Sequence, residues 1–498
     1  MKSQNFSIEK IATDLNAFLT GDGAEYAHDV THDSRQAGEG TLFVAIKGST
    51  MDGHRFIDDV MRRGAVGIIS ESPRPDHFTG AWLQVKDARS ALPRAAAAVY
   101  GEPSHDLSLV GITGTNGKTT TTYLCFELAR SAGQKPAMLT TVEYRKGENS
   151  VPAVRTTPEA SDTNRFLREA VDEGCQVAIM EASSQAIDLH RCDSLRFKLA
   201  VFTNLTRDHL DYHHTMEDYF DAKKKLFDGR LGERPICSII NIDDEWGARL
   251  ANELRTSNER VVTFSQNTKA DLTATDQKVS LVQGTSFHLR THMGDRKINS
   301  PLVGRPHVYN MLAAAGVALE LGYDLDTIER GLLNCVGAPG RFERVPHDGD
   351  FAVVVDYAHT DDALLNTLRT ASDLVQGRII TVFGCGGDRD RSKRAPMGTI
   401  AGEYSDLVLI TSDNPRNEDP LEIIGEVVQG VKQKSAEYLI VPDRREAINQ
   451  AIALAQTDDV VIIAGKGHED YQVIGGDKFH FDDKEVAAEA LMRRYEGA

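Results

Sequence analysis

The stretch GITGTNGKTTTT, residues 111–122, lies between an apolar, β-branched run and an amphipathic segment. This order predicts a strand over Leu107–Thr113, a glycine-rich loop, and a helix over Thr119–Ala129. Glycines let such a loop curl so that its N–H groups point at phosphate oxygens, and the helix N-terminus adds partial positive charge. In this arrangement Lys118 would contact the β- and γ-phosphates, and the Thr119 hydroxyl would bind Mg²⁺. The stretch therefore predicts a nucleotide-binding site.

The loop departs from the general nucleotide-binding pattern at one position. That pattern has a glycine where this chain has Ile112, and the glycines here are Gly111, Gly114 and Gly117. The alternative is a glycine-rich strand-to-helix turn that binds no nucleotide, but Gly-Lys-Thr between a strand and a helix favours the nucleotide. The loop by itself predicts no reaction, because kinases, motors, transporters and ligases use similar loops.

The length of 498 residues predicts about three domains. Strand-like apolar runs alternate with helical patterns, which favours α/β domains with largely parallel sheets. A polar, alternating stretch at about 270–303 predicts antiparallel strands at one side of the central sheet. The predicted domains are a small α/β domain at 1–105, a central parallel-sheet nucleotide-binding domain at 106–337, and a Rossmann-like domain at 338–498.

The composition argues against several classes of protein. Asp and Glu number 74 against 56 Lys and Arg, and the net charge of −18 disfavours broad binding to nucleic acid or anionic lipid. No apolar run approaches the roughly 18 residues of a membrane span, and MKSQNFSIEKIATDL lacks the apolar core of a signal peptide. The six cysteines occur singly, which favours a reduced protein without zinc or disulfides. We therefore expect a cytoplasmic protein with no nucleic-acid partner and no membrane span.

Further segments occur in a definite order along nearly the whole chain. They are DSRQAGEGTLFVAIKG (33–48), EASSQAIDLHR (181–191), TNLTRDHLDYH (203–213), YFDAKKKLF (219–227), INIDD (240–244), GRFE (340–343), VDYAHTDDAL (355–364), FGCGGDRDRSKR (383–394), SDNPRNEDP (412–420) and AGKGHEDYQ (464–472). Each segment is modest alone. Together with GTNGKTT, their order and spacing resemble the Mur ligase family.

This resemblance implies an ATP- and Mg²⁺-dependent ligase. A substrate carboxylate is phosphorylated by ATP, and an incoming amine then attacks the acyl phosphate and expels phosphate. Within the family, the segments resemble the form that adds meso-2,6-diaminopimelate to the D-glutamate side chain of UDP-N-acetylmuramoyl-L-alanyl-D-glutamate, a peptidoglycan precursor. The implied partners are these small molecules, and the implied oligomeric state is a monomer. Metals and cationic side chains would neutralise the charge that builds on the phosphoryl oxygens.

The resemblance also assigns residues to the nucleotide and the metals. The implied ATP contacts are Gly114, Thr115, Asn116, Gly117, Lys118, Thr119, Thr120, Asn310, Arg341 and Asp356. Thr119 and Glu181 would hold one Mg²⁺, while His209 and Lys223 would help to hold a second. The implied catalytic set is Lys118, Glu181, His209 and Lys223. The alternative for Glu181 is a solvated carboxylate at a strand end, and the alternative for Asn310 is a helix cap. His307, where relatives often carry Asn, is a further candidate.

Lys223 can serve a metal only after modification, because an ammonium does not bind Mg²⁺. By resemblance this lysine carries a carbamate formed with CO₂, whose two anionic oxygens suit a hard cation. Carbamate formation requires a neutral amine, so the site must lower the pKa of the lysine by burial or by nearby positive charge. Lys224 and Lys225 follow directly, and the alternative is a solvated helix face.

Two more sets of residues follow from the resemblance. The domain at 1–105 would bind the uridine end of the nucleotide-peptide substrate through Ser34, Ser49, Thr50 and Met51. The muramoyl-peptide end would contact Thr156, Thr157, Ser183 and Arg191, although Ser and Thr are also common in ordinary turns. Diaminopimelate would contact Arg389, Asp413, Asn414, Pro415, Arg416, Gly465 and Glu469, with Glu469 pairing with an ammonium.

Arg416 is the residue that favours diaminopimelate over lysine. Diaminopimelate resembles lysine with an extra carboxylate, and the planar guanidinium of Arg416 suits bidentate pairing with that group. Pro415 stiffens the turn before it. A ligand without the carboxylate would leave the arginine unpaired, which disfavours lysine. The alternative for Arg416 is a weak surface ion pair with Glu418 or Asp419.

Several other functions stay open on the sequence. Within the ligases, the alternatives are the same enzyme adding L-lysine, a folylpolyglutamate-type ligase, or the ligase that adds D-alanyl-D-alanine. SDNPRNEDP and GKGHEDYQ argue against the last two. A P-loop ATPase would turn over ATP without the peptide substrate. A nonenzymatic nucleotide sensor would not need Glu181, His209 and Lys223 together.

Overall fold

The computed structural model describes residues 6–48, 51–281 and 283–496, which form two compact units. The first unit contains the described residues up to Thr275, together with Leu289–Arg296 and Tyr309–Leu332. The second contains the described parts of Asp276–His288 and Lys297–Val308, and the described residues from Leu333 onward.

The N-terminal part of the first unit is a small α/β sheet. Its elements are α1 (Ile8–Leu15), β1 (Phe18–Thr20), β2 (Asp29–Thr31), β3 (Thr41–Val44), a 3-10 helix (Gly53–Phe56), α2 (Ile57–Arg62), β4 (Gly67–Ser70), β5 (Ala81–Gln84) and α3 (Ala88–Val99). The strand order is β1-β5-β4-β3-β2, parallel except for β1. The Ser7 hydroxyl caps α1 by accepting a hydrogen bond from the Lys10 amide. The small alanines of α3 pack against this sheet in one apolar core.

The central part of the chain forms a larger sheet. Its elements are a 3-10 helix (Pro103–His105), β6 (Ser108–Thr113), α4 (Lys118–Ser131), β7 (Pro136–Leu139), β8 (Glu143–Lys146), β9 (Asn149–Pro152), α5 (Ala160–Asp172), β10 (Val177–Glu181), α6 (Ser184–Asp188), β11 (Leu199–Phe202), α7 (Leu210–His213), α8 (Met216–Lys224), β12 (Cys237–Asn241), α9 (Glu245–Thr256), β13 (Val261–Ser265), β14 (Leu272–Ser280), β15 (Gly284–Thr291), β16 (Gly294–Ser300), α10 (Arg305–Glu320) and α11 (Leu325–Asn334).

The central sheet has the strand order β16-β15-β14-β13-β12-β11-β6-β10-β7-β8-β9. Its middle strands pair in parallel and are buried, as expected for apolar strands covered by helices on both faces. The carboxyl ends of β6, β10 and β11 meet at one edge, because Glu181 lies opposite Ile112 and Phe202 lies opposite Thr113. In open α/β sheets this edge is where ligands bind.

The C-terminal part of the chain forms a third sheet. Its elements are β17 (Glu343–Arg344), β18 (Ala352–Asp356), α12 (Asp361–Ser372), β19 (Ile379–Phe383), a 3-10 helix (Arg391–Lys393), α13 (Arg394–Tyr404), β20 (Leu407–Ile410), α14 (Pro420–Val431), β21 (Glu437–Ile440), α15 (Arg444–Leu454), β22 (Val460–Ala464), β23 (Tyr471–Ile474), β24 (Asp477–His480) and α16 (Asp483–Glu496). The order β17-β18-β22-β19-β20-β21 is parallel except for β17. A hairpin of β23 and β24 stands apart from this sheet.

The predicted fold class is confirmed: the chain is α/β, with parallel-rich central and C-terminal sheets. The strands expected at one side of the central sheet are β14 to β16. The hairpin of β8 and β9 at the opposite edge was not predicted, because its residues are mostly polar, with β8 half-buried and β9 exposed. The domain boundaries at 105 and 337 stay predictions. In the described part of the chain, no helix is both long and apolar enough to cross a membrane.

Candidate active site

The phosphate loop joins β6 to α4 and contains two glycines with positive φ. Gly114 has φ +148°, and a Cβ there would lie 1.9 Å from the Thr203 hydroxyl oxygen. Gly117 has φ +87°, and a Cβ there would lie 2.4 Å from Oδ1 of Asn310. Gly111 is different, since it lies inside β6 and leaves room for the ring of Phe197. The loop therefore needs glycine at 114 and 117 for its shape and at 111 for packing.

A second loop, Thr203–Thr206 after β11, holds the phosphate loop in place. The amides of Thr115 and Asn116 each donate to Asn204, at 2.9 Å, to its carbonyl and its side chain respectively. The Thr203 hydroxyl donates to the Asn116 carbonyl at 2.6 Å, and the Thr206 amide donates to the Thr115 hydroxyl at 3.0 Å. Thr203, Asn204 and Thr206 lie in the TNLTRDHLDYH segment, but no role was predicted for them.

Lys118 begins α4, and its Nζ donates to the carbonyls of Gly114 and Thr115, each at 2.9 Å. The side chain thus curves over the phosphate loop, on the side where a bound phosphate would meet the helix N-terminus. Thr119 and Thr120 follow in the first turn and are nearly buried. The structure therefore brings the predicted phosphate contacts into one loop and helix end.

Asn310 lies within α10, so the alternative that it caps a helix is wrong. It is 6% exposed, and its Oδ1 accepts a 3.4 Å hydrogen bond from the Thr121 hydroxyl of α4. This places the Asn310 amide beside the phosphate loop. His307, one turn earlier in α10, is buried, and burial lowers the pKa of its imidazole to about 4.

Glu181 is the last residue of β10, and it is completely buried rather than solvated. Its carboxylate accepts hydrogen bonds from the amide of Thr141 at 2.9 Å and from the hydroxyl of the same residue at 3.3 and 3.4 Å. In the described part of the chain, no cationic side chain forms an ion pair with it. A buried carboxylate without a cation has capacity for a metal ion, because burial of an uncompensated charge is unfavourable.

Three residues predicted to hold the nucleotide-peptide substrate surround the end of β10. The Thr157 hydroxyl donates to the Glu181 carbonyl at 2.8 Å and accepts from the amide of Ser183 at 3.1 Å. Ser183 in turn caps α6. Arg191 donates to the Thr157 carbonyl at 3.2 Å. Thr156, which precedes this group, accepts a 3.1 Å hydrogen bond from the Thr141 hydroxyl.

Glu159 is a buried carboxylate for which no role was predicted. It directly precedes α5, and it forms ion pairs with three arginines: Arg89 at 3.1 Å, Arg155 at 2.8 Å and Arg191 at 2.8 Å. Arg89 belongs to α3 of the N-terminal sheet, so this carboxylate links that sheet to the central one. The TTPE sequence that contains Glu159 held the only signal, next to the predicted Thr156 and Thr157.

Lys223 lies on the inner face of α8, so the alternative of a solvated helix face is wrong for this lysine. It is 1% exposed, and its Nζ donates to the Gly114 carbonyl at 2.9 Å, the same oxygen that Lys118 contacts. Burial, together with the nearby Lys118 ammonium, lowers the pKa of Lys223 well below its ordinary value. Lys224 and Lys225 instead form ion pairs with Glu253 and Asp188 on the outside.

His209 and Tyr219 lie on the same side of the phosphate loop. His209 precedes α7 with φ +51° and is about half exposed. Its ring centroid is 6.1 Å from that of Tyr219, whose hydroxyl is 3.2 Å from the Thr115 hydroxyl. The Nζ of Lys223 lies 4.5 Å from the Tyr219 ring centroid. Tyr219 thus lies beside both the loop and two predicted metal-site residues, and no role was predicted for it.

The predicted uridine-side residues are only partly described. Ser34 is half-buried, and its carbonyl accepts a hydrogen bond from Arg63. Met51 is 56% exposed. Ser49 and Thr50 lie outside the described residues. No described hydrogen bond or ion pair connects Ser34 or Met51 with the residues around β10.

The second of the two compact units, which contains the described residues from Leu333 onward and is called the C-terminal unit below, brings most of the predicted diaminopimelate residues together. Asp413 and Asn414 follow β20, and Glu469 follows β22. The side-chain amide of Asn414 donates to Glu469 at 3.0 Å, and its carbonyl oxygen accepts from the Val473 amide at 2.9 Å. Burial and the neighbouring Asp413 carboxylate raise the pKa of Glu469. Gly465 begins the loop after β22 with φ +117°, and its amide donates a hydrogen bond to the Asp356 carbonyl.

Arg416 is held by backbone contacts and not by a surface ion pair. Its Nη1 donates to the Gly387 carbonyl at 2.7 Å, and its main chain bonds Val473 and Gly475 of the hairpin. Glu418 instead pairs with the buried Arg394 at 2.8 Å, and Asp419 caps α14. The predicted alternative for Arg416 is therefore wrong. Pro415, directly before it, is buried.

The remaining predicted residues of the C-terminal unit have separate surroundings. The Arg341 guanidinium lies 4.8 Å from the ring centroid of Tyr357. Asp356 accepts hydrogen bonds from the amides of Phe342 and Ala358 at 2.7 and 3.0 Å, and burial raises its pKa. Arg389 is exposed.

Family comparisons match three consecutive regions of the chain. Residues 26–100 match the model described as Mur ligase family, catalytic domain; residues 112–318 match the Mur ligase middle domain; and residues 340–467 match the Mur ligase, glutamate ligase domain. The chain belongs to the Mur ligase family. It is therefore an ATP-dependent ligase that forms an amide bond.

Curated relatives of this Mur ligase share high identity over nearly its whole length. UDP-N-acetylmuramoyl-L-alanyl-D-glutamate–2,6-diaminopimelate ligase from Geobacter metallireducens is 47% identical over 92% of this chain and 93% of the relative. The protein of the same name from Clostridioides difficile is 44% identical over 94% of this chain and 95% of the relative.

Solved structures match the Mur ligase over its full length. A structure of UDP-N-acetylmuramoyl-L-alanyl-D-glutamate–2,6-diaminopimelate ligase has a TM-score of 0.74 and 32% identity, and covers 99% of this chain and 100% of that chain. A MurF ligase from Thermotoga maritima in complex with ADP has a TM-score of 0.61 at 19% identity, covering 94% of this chain and 97% of that chain. The second likeness shows the shared fold alone.

Proposed function

We propose that this Mur ligase adds meso-2,6-diaminopimelate to the D-glutamate side-chain carboxylate of UDP-N-acetylmuramoyl-L-alanyl-D-glutamate, in the synthesis of peptidoglycan precursors. ATP first phosphorylates the carboxylate, and the amine of diaminopimelate then displaces phosphate from the acyl phosphate. The observation that carries the choice of amino acid is Arg416, held by Gly387 beside Asn414 without an acidic partner among the described residues. Relatives named for this reaction share 41–47% identity with the chain.

In this proposal the phosphate loop binds the ATP phosphates. The first-turn amides of α4 have no partner within the helix, so they are suited to phosphate oxygens. Lys118 already curves over the loop and would meet the β- and γ-phosphates. Asn310 lies against the loop at Gly117, which supports the proposed nucleotide contact. Arg341 and Asp356 remain proposed ATP contacts from the C-terminal unit.

The donor set at the end of β10 fits Mg²⁺. Glu181 is buried without an ion-pair partner in the described chain, and Thr119 offers a hydroxyl at the start of α4. Hard oxygen donors of this kind are those that Mg²⁺ prefers. Bound there, Mg²⁺ would neutralise charge on the phosphoryl oxygens during transfer. Thr157 and Ser183, hydrogen-bonded to the same strand end, would hold the peptide carboxylate nearby.

The proposal includes a carbamate on Lys223. Its support is that this lysine is buried, donates to a loop carbonyl as a neutral amine can, and has a strongly lowered pKa. These conditions favour reaction of the amine with CO₂. The product would offer anionic oxygens for a second Mg²⁺, with His209 as a further ligand. We also propose a cytoplasmic monomer, in keeping with substrates that are nucleotides and a free amino acid.

The amino acid is proposed to bind in the C-terminal unit, between the loops after β20 and β22. Arg416 would pair with the far carboxylate of diaminopimelate, and Glu469 with an ammonium group. Lysine, which lacks that carboxylate, would leave the guanidinium without its charged partner. Arg389, which is exposed, would reach the other carboxylate.

The test is release of phosphate by the purified protein with ATP, Mg²⁺ and UDP-N-acetylmuramoyl-L-alanyl-D-glutamate. Parallel reactions receive meso-diaminopimelate, L-lysine or neither, and mass spectrometry identifies the nucleotide product. The expected result is phosphate release and a product heavier by one diaminopimelate residue only in the first reaction. Use of lysine at equal or greater efficiency would refute the role given to Arg416. An equal rate without either amino acid would refute the ligase reaction.

A further inference from the structure

Lys466 is a buried cation at the centre of the proposed amino-acid pocket. It lies in the AGKGHEDYQ segment between Gly465 and Glu469, and it is 0% exposed. Its Nζ donates to the Tyr471 carbonyl at 2.6 Å and to Oδ1 of Asn414 at 3.1 Å. A fully buried lysine is rare unless its charge is paired.

The charge of Lys466 is paired with the two acidic residues of the pocket. Its Nζ is 3.2 Å from a carboxylate oxygen of Asp413 and 3.9 Å from one of Glu469. Without this ammonium, the two mostly buried carboxylates would lose the cation that lies within 4 Å of both. Such an arrangement is unfavourable, since like charges in a low-dielectric site repel strongly.

Lys466 also determines which way the Asn414 amide points. The ammonium can only donate, and so can the Val473 amide, and both contact the same Oδ1. The amide nitrogen of Asn414 must therefore face the opposite direction, where it donates to Glu469 at 3.0 Å. One buried ammonium thus sets the orientation of an amide and, through it, the position of a carboxylate.

We propose that Lys466 is a positioning residue that holds Asn414 and Glu469 ready for an ammonium group of the amino-acid substrate. The inference rests on the proposed function, because it takes these loops as the amino-acid pocket. Lys466 itself does not touch the substrate in this account. It favours the ionised form of Glu469, and it keeps one of the carboxylate's oxygens bonded to the amide, so that the other oxygen is available to the substrate.

Replacement of Lys466 by a neutral residue should therefore weaken binding of the amino acid selectively. In Lys466→Met, we expect the KM for diaminopimelate to rise at least ten-fold, with the KM values for ATP and for the nucleotide-peptide unchanged within two-fold. Lys466→Gln keeps donors for Tyr471 and Asn414 but removes the charge, and we expect the same direction of change. Lys478→Met is the matched control, because the Nζ of that exposed lysine lies 3.7 Å from the ring centroid of Tyr471, outside the proposed pocket.

The pH profile separates positioning from a general loss of stability. Burial and Asp413 raise the pKa of Glu469, and Lys466 lowers it. In the variants that pKa rises further, so Glu469 becomes protonated at a higher pH and the KM for diaminopimelate begins to increase earlier as the pH falls. The charged and titratable groups that face Glu469 are Asp413, Arg416, Lys466, Tyr471, Tyr357 and Arg444.

The native enzyme is assayed first, so that a failure of the proposed function is seen separately as absence of amide formation with diaminopimelate. With an active native enzyme, a KM for diaminopimelate within two-fold of native in either folded neutral variant would overturn the role of Lys466. An equal rise in all three KM values would do the same. Failure of both neutral variants to fold would assign Lys466 to stability alone and would also overturn the proposal.

Discussion

Replacement of Lys223 by methionine should abolish ligase activity while leaving the protein folded. Lys223 is buried beneath the phosphate loop, whereas Lys224, next to it, pairs with Glu253 at the surface. Lys224→Met is therefore a matched control that makes the same substitution at the next position of the same helix. The two variants differ only in which face of α8 loses its amine.

The expected magnitudes follow from the surroundings of Lys223. Methionine removes one hydrogen bond, from Nζ to the Gly114 carbonyl, which contributes about 0.5–1.5 kcal/mol. It also removes a buried polar group, whose desolvation opposes folding. These effects oppose each other, so the free energy of unfolding should change by less than about 2 kcal/mol. Loss of an electrostatic group at the transferred phosphoryl should lower kcat by about 10²–10³-fold.

The carbamate gives a second, direct readout. An ordinary lysine is under about 1% neutral at pH 8, and each unit by which burial lowers its pKa increases the neutral fraction about ten-fold. We expect native enzyme in CO₂-depleted buffer to lose activity and to regain it with bicarbonate. A carbamate signal in ¹³C NMR with labelled bicarbonate should appear in native protein and Lys224→Met, but not in Lys223→Met. The reasoning is refuted if Lys223→Met keeps activity within three-fold of native, or if Lys224→Met loses as much.

Three further substitutions test other parts of the structure. Arg416→Met removes the guanidinium that is proposed to pair with the far carboxylate, so kcat/KM for diaminopimelate should fall by about 10–100-fold, whereas kcat/KM for lysine, assayed in parallel, should not fall. An equal loss for both amino acids would contradict the role of Arg416 in specificity. Gly117→Ala places a Cβ 2.4 Å from Oδ1 of Asn310 at a backbone position with φ +87°, so titration with an ATP analogue should show at least ten-fold weaker binding. Gly174→Ala, at φ +83° with nothing within 4 Å, is its control and should bind normally. Arg444→Met leaves the fully buried Asp483 carboxylate without its ion-pair partner, now at 2.7 Å, so chemical denaturation should show the free energy of unfolding of the C-terminal unit lowered by about 3–5 kcal/mol. An unchanged denaturation midpoint would contradict this.

Much of the fold could be predicted because the parallel strands are continuous apolar runs. Val177–Glu181 and Val460–Ala464 are buried throughout, so their sequences leave little choice of structure. The phosphate loop could be predicted equally well, since a strand-like run, a glycine-rich stretch and a helical pattern follow one another in the sequence. The β8–β9 hairpin was missed because its residues are mostly polar. β8 is half-buried and β9 exposed throughout, so neither strand has the alternation that marks one buried face.

The candidate site was predictable where its residues follow strand ends in recognisable segments. Glu181 ends β10 next to Thr157, and Asn414 follows β20 and contacts Glu469, while the roles of these residues stay predictions. Glu159 and Lys466 were missed for the same physical reason. Both are charged residues that look solvated in the sequence, and only their contacts with residues far along the chain show that they are buried.

By itself, the sequence determined the α/β class, the nucleotide loop and the order of the family's segments, because these depend on local apolar pattern and on glycine at positions of special backbone geometry. The family resemblance singled out Lys223 among three consecutive lysines, but only the tertiary structure showed that Lys223 and Lys466 are buried. Lys223 meets Gly114 across 109 residues of chain, and Lys466 meets Asn414 across 52. The pKa and orientation of such groups depend on desolvation and on neighbouring charges, and the fold alone brings those together.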